Sequence, residues 1–210
     1  AEATASARYV ELAEGLSAVR RKAAARLDKA VMAELKPLRL GAAQFTTTIE
    51  RLSEPDWNQS GIDRVRFEVA TNPGSPAGAL SKIASGGELA RFMLALNLSL
   101  ARKGGPPTLV FDEIDRGIGG ATAAAVGERL ARLSDRFQVL VVTHSPQVAA
   151  KGATHLTVAK SARGRSLPKV EVTPLDHAAR REEIARMLAG ASVTDQARAA
   201  AESLLAGERA

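Results

Sequence analysis

Three short stretches of this 210-residue chain put reactive groups where the backbone could make use of them. Thr108-Leu109-Val110-Phe111 is an apolar run closing in Asp112-Glu113. A buried strand with that ending delivers two carboxylates at its C-terminal end, where open α/β sheets bind ligands. One carboxylate can hold Mg2+, usually through water, and the other can orient and deprotonate an attacking water. An apolar run followed by Asp-Glu is also common where no chemistry takes place. Ser85-Gly86-Gly87-Glu88 combines a hydroxyl, permissive backbone and the free N–H groups of a helix start, which together make an anion-binding turn. The plainer account is an N-cap serine followed by flexible glycines. His144 ends a second apolar run, Val139-Leu140-Val141-Val142-Thr143, and taken alone reads as a buried, satisfied histidine.

The elements around these stretches follow from periodicity. From Tyr9 to Leu38 apolar residues recur as Leu12, Leu16, Val19, Ala23, Leu27, Val31, Leu35 and Leu38, in steps of three and four on a charged background. That pattern predicts a long helix with one narrow stripe, suited to a coiled-coil partner, which Pro37 must kink or stop. The chain opens inside the pattern without a cap, so the helix is expected to continue upstream. Phe45, Thr47 and Ile49, then Val65, Phe67 and Val69, alternate with polar residues on either side of a turn-prone segment and predict two half-buried strands. Leu89, Phe92, Met93, Leu96 and Leu100 lie on one face of the helix opened by Ser85-Gly86-Gly87. The acid-ended run, a helix from Gly120 to Ser134 and the His-ended run form a β–α–β unit with buried parallel strands. Ser145-Pro146 then caps and opens another helix. Strands near 155–160 and 169–173 and helices near 178–188 and 194–206 complete the chain.

Composition bounds the function. Hydrophobic residues at 45% and charged residues at 25% fit one globular unit, with a core of Leu, Val, Ile and Ala because aromatics make up only 3%. Without cysteine there is no disulfide framework or thiolate metal site, and three scattered histidines form no metal cluster. No apolar run approaches the length of a membrane helix and the N-terminus lacks signal-peptide order, so a cytoplasmic location is expected. The net charge of +6 permits a nucleic-acid partner and equally fits an Arg-rich composition. Lys160, Arg163, Arg165 and Lys169 share a loop free of acids that either touches phosphate or is solvated.

The order of the stretches is hard to assemble by accident. ASGGELARFMLAL resembles the ABC signature motif, TLVFDEID a Walker B strand and VVTHSPQVA a His-switch segment. The fuller strings LSKIASGGELARFMLAL, DEIDRGIGG and VLVVTHSPQVAA resemble the RecN family, bacterial SMC-like ATPases of DNA double-strand-break repair. The likeness runs from about Phe67 to Leu188, and the upstream helix fits the returning arm of that family's coiled coil. It implies an α/β fold: the C-terminal lobe of an ABC/SMC-type ATPase head, mostly parallel sheet flanked by helices, over 39–210, with the end of a coiled-coil arm over 1–38.

The same resemblance implies roles. Asp112 would hold the Mg2+-bound water, Glu113 would be the general base and His144 would contact the γ-phosphate. Asp115 would belong to the D-loop crossing a dimer interface, where Arg116 departs from the small or uncharged residue expected. Ser85, Gly86, Gly87 and Glu88 would form the signature that meets ATP held by a second head. None of the seventeen glycines is followed by lysine, so no phosphate-cradling G-x-x-x-x-G-K-[ST] loop is present. The implied partners are an N-terminal lobe carrying that loop, a second head, and DNA ends or single-stranded regions, with no membrane. Alone, the chain is expected to bind ATP poorly and turn it over negligibly.

Three alternatives compete: the head of another SMC-family or recombination ATPase, a lobe that only joins DNA or protein, and a metal-dependent nuclease or topoisomerase-like cluster of Asp112, Glu113 and Asp115. The last leaves Ser85-Gly86-Gly87 unexplained.

Overall fold

The computed structural model describes residues 2–80, 85–100, 108–161, 169–190 and 192–207. The chain divides into two compact units, Ala1–Lys103 and Gly104–Ala210, in place of the single one expected from length. The division falls between Lys103 and Gly104, outside the described residues.

In the first unit, helix α1 (Glu2–Leu35) gives way to a 3₁₀ turn (Lys36–Leu38) where Pro37 denies it a further i→i−4 bond. Strand β1 (Gln44–Arg51) pairs antiparallel with β2 (Asp63–Ala70), Gln44 opposite Ala70 and Arg51 opposite Asp63, and β3 (Gly78–Ala79) adds to β2. Phe45 and Phe67 approach to 5.6 Å between ring centroids. The face of α1 that is buried carries Ala13, Ser17, Ala24, Val31 and Leu35, while Leu12 and Val19 of the expected stripe are exposed. Ala13, Ser17 and Ala24 on that face are small, and polar contacts fix the docking. Ser17 Oγ donates to Asp63 Oδ2 at 2.6 Å and Arg20 Nη1 to the same oxygen at 3.2 Å. Asp28 Oδ1 accepts from the Thr47 backbone N–H at 2.9 Å and from its hydroxyl at 2.6 Å. Helix α2 (Gly86–Leu100) buries Gly87, Arg91, Phe92, Leu94, Ala95 and Leu96, and leaves Met93 and Leu100 of its expected face exposed.

In the second unit, β4 (Thr108–Phe111) and β5 (Gln138–Val141) are parallel, Thr108 opposite Gln138 and Phe111 opposite Val141. Helix α3 (Gly120–Ser134) connects them and buries Ala123, Val126, Leu130 and Leu133. The short α4 (Pro146–Ala149) follows. Strands β6 (Leu156–Ser161) and β7 (Lys169–Pro174) form an antiparallel hairpin. Helices α5 (His177–Ala189) and α6 (Asp195–Ala206) are capped by side chains, Asp176 accepting from Ala179 N–H at 2.8 Å and Thr194 from Ala197 N–H at 3.2 Å. They close on a core of Ala150, Ile184, Ala185, Ala197, Ala201 and Leu205.

The parallel strands are not buried on both faces as expected. Phe111 is buried, but Val110, Leu140 and Val142 are exposed, as are Leu156, Val158, Val170 and Val172 of the hairpin. Exposure alternates along β4 and β5, so one face of that pair packs while the other stands open, whereas all six residues of β7 are exposed. Among the described residues no helix is long and apolar enough to cross a membrane.

Candidate active-site half

The C-terminal ends of β4 and β5 lie side by side, because Val142 N–H donates to Phe111 C=O at 2.9 Å and continues the parallel pairing past both strands. Asp112 leaves one strand there and Thr143-His144 the other. With Glu113, Asp115, Arg116 and Val142 they line a pocket of about 340 Å3. The expected acid pair and the expected histidine are thus brought together. The plainer account of His144 as a buried residue does not hold, since its side chain is 82% exposed.

The turn after β4 gives each acid a different environment. Asp112 is exposed. Glu113 has φ 56°, a left-handed conformation uncommon for a residue with a Cβ and often found where a side chain is aimed for function. Its C=O accepts from Arg116 N–H at 3.0 Å, and Asp115 C=O from Ile118 N–H at 3.2 Å, so the backbone coils back on itself. The Glu113 carboxylate meets Arg116 Nη1 at 3.0 Å, both side chains remaining more than half exposed.

Asp115 is the buried member, at 1% exposure. Its Oδ2 accepts from Thr143 Oγ1 at 2.5 Å, from Ser145 N–H at 3.0 Å and from His144 N–H at 3.2 Å, and lies 3.5 Å from His144 Nδ1. The Thr143 hydroxyl accepts in turn from Ser145 N–H at 3.0 Å. Several donors on one carboxylate oxygen are the standard way to keep such a charge inside a protein. Ser145 sits at the N-cap of α4 with extended backbone, but its hydroxyl donates to Gln147 Oε1 at 2.9 Å rather than capping the helix.

Thr143 escaped the sequence reading. Its one signal is a polar, β-branched residue where an apolar strand meets a histidine. Arg180 also escaped it: from α5 its Nη2 donates to the carbonyls of Ala150 at 2.9 Å and Gly152 at 2.5 Å, just past α4.

The signature residues belong to the first unit. Ser85 C=O accepts from Leu89 N–H at 2.9 Å, which starts α2 at Gly86. Gly86 is exposed, Gly87 is buried and Glu88 is half-buried in the first turn. Ser81 to Ala84 of the same motif, and Arg163 and Arg165 of the basic loop, lie outside the described residues.

Among the described residues no three carboxylates or histidines converge as a metal cage. Mg2+ in phosphate-transfer sites needs none, being held by one or two carboxylates, waters and the phosphates themselves. Exposed Asp112 beside a pocket suits that arrangement.

No family model matches the chain. Nearly its whole length is similar to proteins described as DNA repair protein RecN. Identity is 46% over 198 residues in Rickettsia felis, 43% over 201 residues in Xylella fastidiosa and 42% over 209 residues in Streptomyces coelicolor. These alignments take in 94%, 96% and 95% of this chain and 36% of each relative, so the chain spans about a third of the length of the proteins it matches. In structure it is similar to the Smc head domain with a coiled coil and joint from Pyrococcus yayanosii, with a TM-score of 0.58 at 20% identity over 83% of this chain and 31% of that one. The Smc head domain with an extended coiled coil from Pyrococcus furiosus gives 0.52 at 18% identity, covering 78% and 38%. The chain has the fold of part of an Smc head domain.

Proposed function

From a sequence related along almost its whole length to the RecN DNA repair proteins, we propose that this chain supplies the C-terminal half of an SMC-like ATPase head acting in double-strand-break repair. Residues 1–38 would end the coiled-coil arm and 39–210 would form the lobe. The observation that carries the proposal is the convergence of Asp112, Glu113 and His144 on one pocket at the ends of two parallel strands.

In the full-length protein an N-terminal lobe would bring the phosphate-cradling loop, and ATP with Mg2+ would supply the labile phosphoanhydride and its charge neutralisation. Asp112 would hold the Mg2+ side of the site through water. Glu113, aimed by its left-handed backbone, would take the proton from the attacking water, after its carboxylate leaves Arg116. His144, exposed at the end of β5, would donate to the γ-phosphate. Ser85, Gly86, Gly87 and Glu88 would meet the nucleotide of a second head, so that ATP binding and head pairing are one equilibrium. DNA ends or single-stranded regions are the proposed nucleic-acid partners, in the cytoplasm at the nucleoid.

The test is ATP hydrolysis by this chain alone and by the chain mixed with the N-terminal lobe, with Glu113→Gln as control. Turnover only in the mixture, abolished by Glu113→Gln, is expected. Robust turnover by the chain alone, or full turnover by the Glu113→Gln mixture, would overturn the assignment.

A further inference from the structure

We infer that Thr143 and Asp115 are positioning residues for His144, which makes the turn bearing the base and the strand bearing the histidine a single mechanical piece. This rests on the proposed ATPase function and concerns how the site's histidine is held.

An exposed imidazole on a strand end has nothing of its own to fix its direction. Here the fixing group is the Asp115 carboxylate, buried beneath it. Its Oδ2 binds the backbone N–H groups of His144 and Ser145 and takes the Thr143 hydroxyl at 2.5 Å, so the three residues around the histidine hang from one oxygen. The same oxygen lies 3.5 Å from His144 Nδ1. Nδ1 is thus the ring nitrogen turned to the carboxylate, and Nε2 stands on the outer side of the ring, the atom that can reach a phosphate.

Asp115 lies only two residues beyond Glu113, in the turn locked by the Glu113–Arg116 and Asp115–Ile118 backbone bonds. Displacing that turn therefore displaces the histidine, and the link runs through two hydrogen-bonding atoms, Asp115 Oδ2 and Thr143 Oγ1. The hydroxyl is the part that can be removed cleanly, because Val has the shape of Thr and Ser keeps the donor.

The experiment uses full-length protein carrying Glu113→Gln, so that nucleotide is bound and not consumed, and measures Kd for ATP and for ADP. Thr143→Val is expected to lower the preference for ATP over ADP about tenfold, the scale of an orienting hydrogen bond behind a ligand-binding histidine. Thr143→Ser is expected to keep that preference. In a His144→Ala background Thr143→Val should change the preference no further, since its effect passes through the histidine. Equal weakening of ATP and ADP, an equal loss in Thr143→Ser, or a further loss in the His144→Ala background would overturn the inference. If the Glu113→Gln protein shows no preference for ATP that His144→Ala removes, it is the proposed role of His144 that fails.

Discussion

Arg116 holds the carboxylate of Glu113 at 3.0 Å from three residues further along the same turn. The proposed base therefore carries a cation that must be displaced before it can take a proton. Both partners are more than half exposed, and exposed pairs of this kind stabilise by about 1 kcal/mol at most. Arg116→Ala should lower the melting temperature by a few degrees at most. It should raise ATP turnover of the full-length protein by no more than about fivefold, the rate equivalent of that free energy. Steady-state kinetics on the variant checks this, and a fall of a hundredfold would show that Arg116 acts on the nucleotide instead.

The hydrogen-bonded group of Ser17, Arg20 and Asp63 docks α1 on β2, with the Asp63 side chain 1% exposed. Asp63→Ala strips a buried hydroxyl and a partly buried guanidinium of their acceptor. It should destabilise the first unit by about 2–4 kcal/mol. Arg66→Ala, which removes an exposed pair with Glu50, should cost about 0.5 kcal/mol or less. Urea unfolding of the three proteins makes the comparison, and equal midpoints for Asp63→Ala and the parent would refute it.

His155 gives the second unit a pH dependence of known sign. Burial, then the neighbouring Arg180, hold its pKa below the ordinary 6.5. The unfolded chain thus takes up a proton that the folded one refuses, and the stability His155 contributes is full above 6.5 and lost as pH falls below it. Glu183, held below 4.5 mainly by its hydrogen bond from Arg186, adds its own loss only under more acid conditions. Denaturation midpoints measured from pH 7.5 to 5 should therefore fall, and His155→Gln should flatten that part of the curve. An unchanged slope in the variant would assign the pH dependence to other groups.

Gly127 on α3 faces α4 so closely that a Cβ there would stand 2.9 Å from Lys151 Cγ and 3.1 Å from the Gln147 carbonyl oxygen. The lysine can swing aside, whereas the backbone oxygen must shift. Gly127→Val should cost about 1–3 kcal/mol through crowding. Because α4 begins two residues after His144, it should also alter the ATP dependence of turnover. Paired melting and kinetic measurements decide whether the two effects travel together.

Much of the second unit was legible because its signals are local. Gly120 to Ser134 was expected as a helix and is one, bounded by a Gly-Gly entry and a periodic apolar face. The acid pair and His144 were expected at strand ends and are found there. The fate of Asp115 was not legible, because a carboxylate in a turn reads as exposed until the donors that bury it, some thirty residues away in sequence, are in place. In the first unit the apolar stripe of α1 was legible as a helix but misleading about packing. Val31, Leu35 and Leu38 of the stripe are fully buried as expected, but Leu12 and Val19 face outward, and in that earlier part of the helix the covered positions are Ala13, Ser17 and Ala24. The open faces of β4–β5 and of the β6–β7 hairpin were equally hidden, since apolar runs do not say which side is covered.

The left-handed backbone of Glu113 sets stability against the proposed catalytic role at one position. A residue with a Cβ held there costs about 1–2 kcal/mol that glycine does not incur. A library selected for resistance to heat should accept Glu113→Gly as neutral or better, while one selected for survival of DNA breaks should discard it. Divergent rankings at a single site would mark where natural selection has favoured a working carboxylate over a relaxed chain.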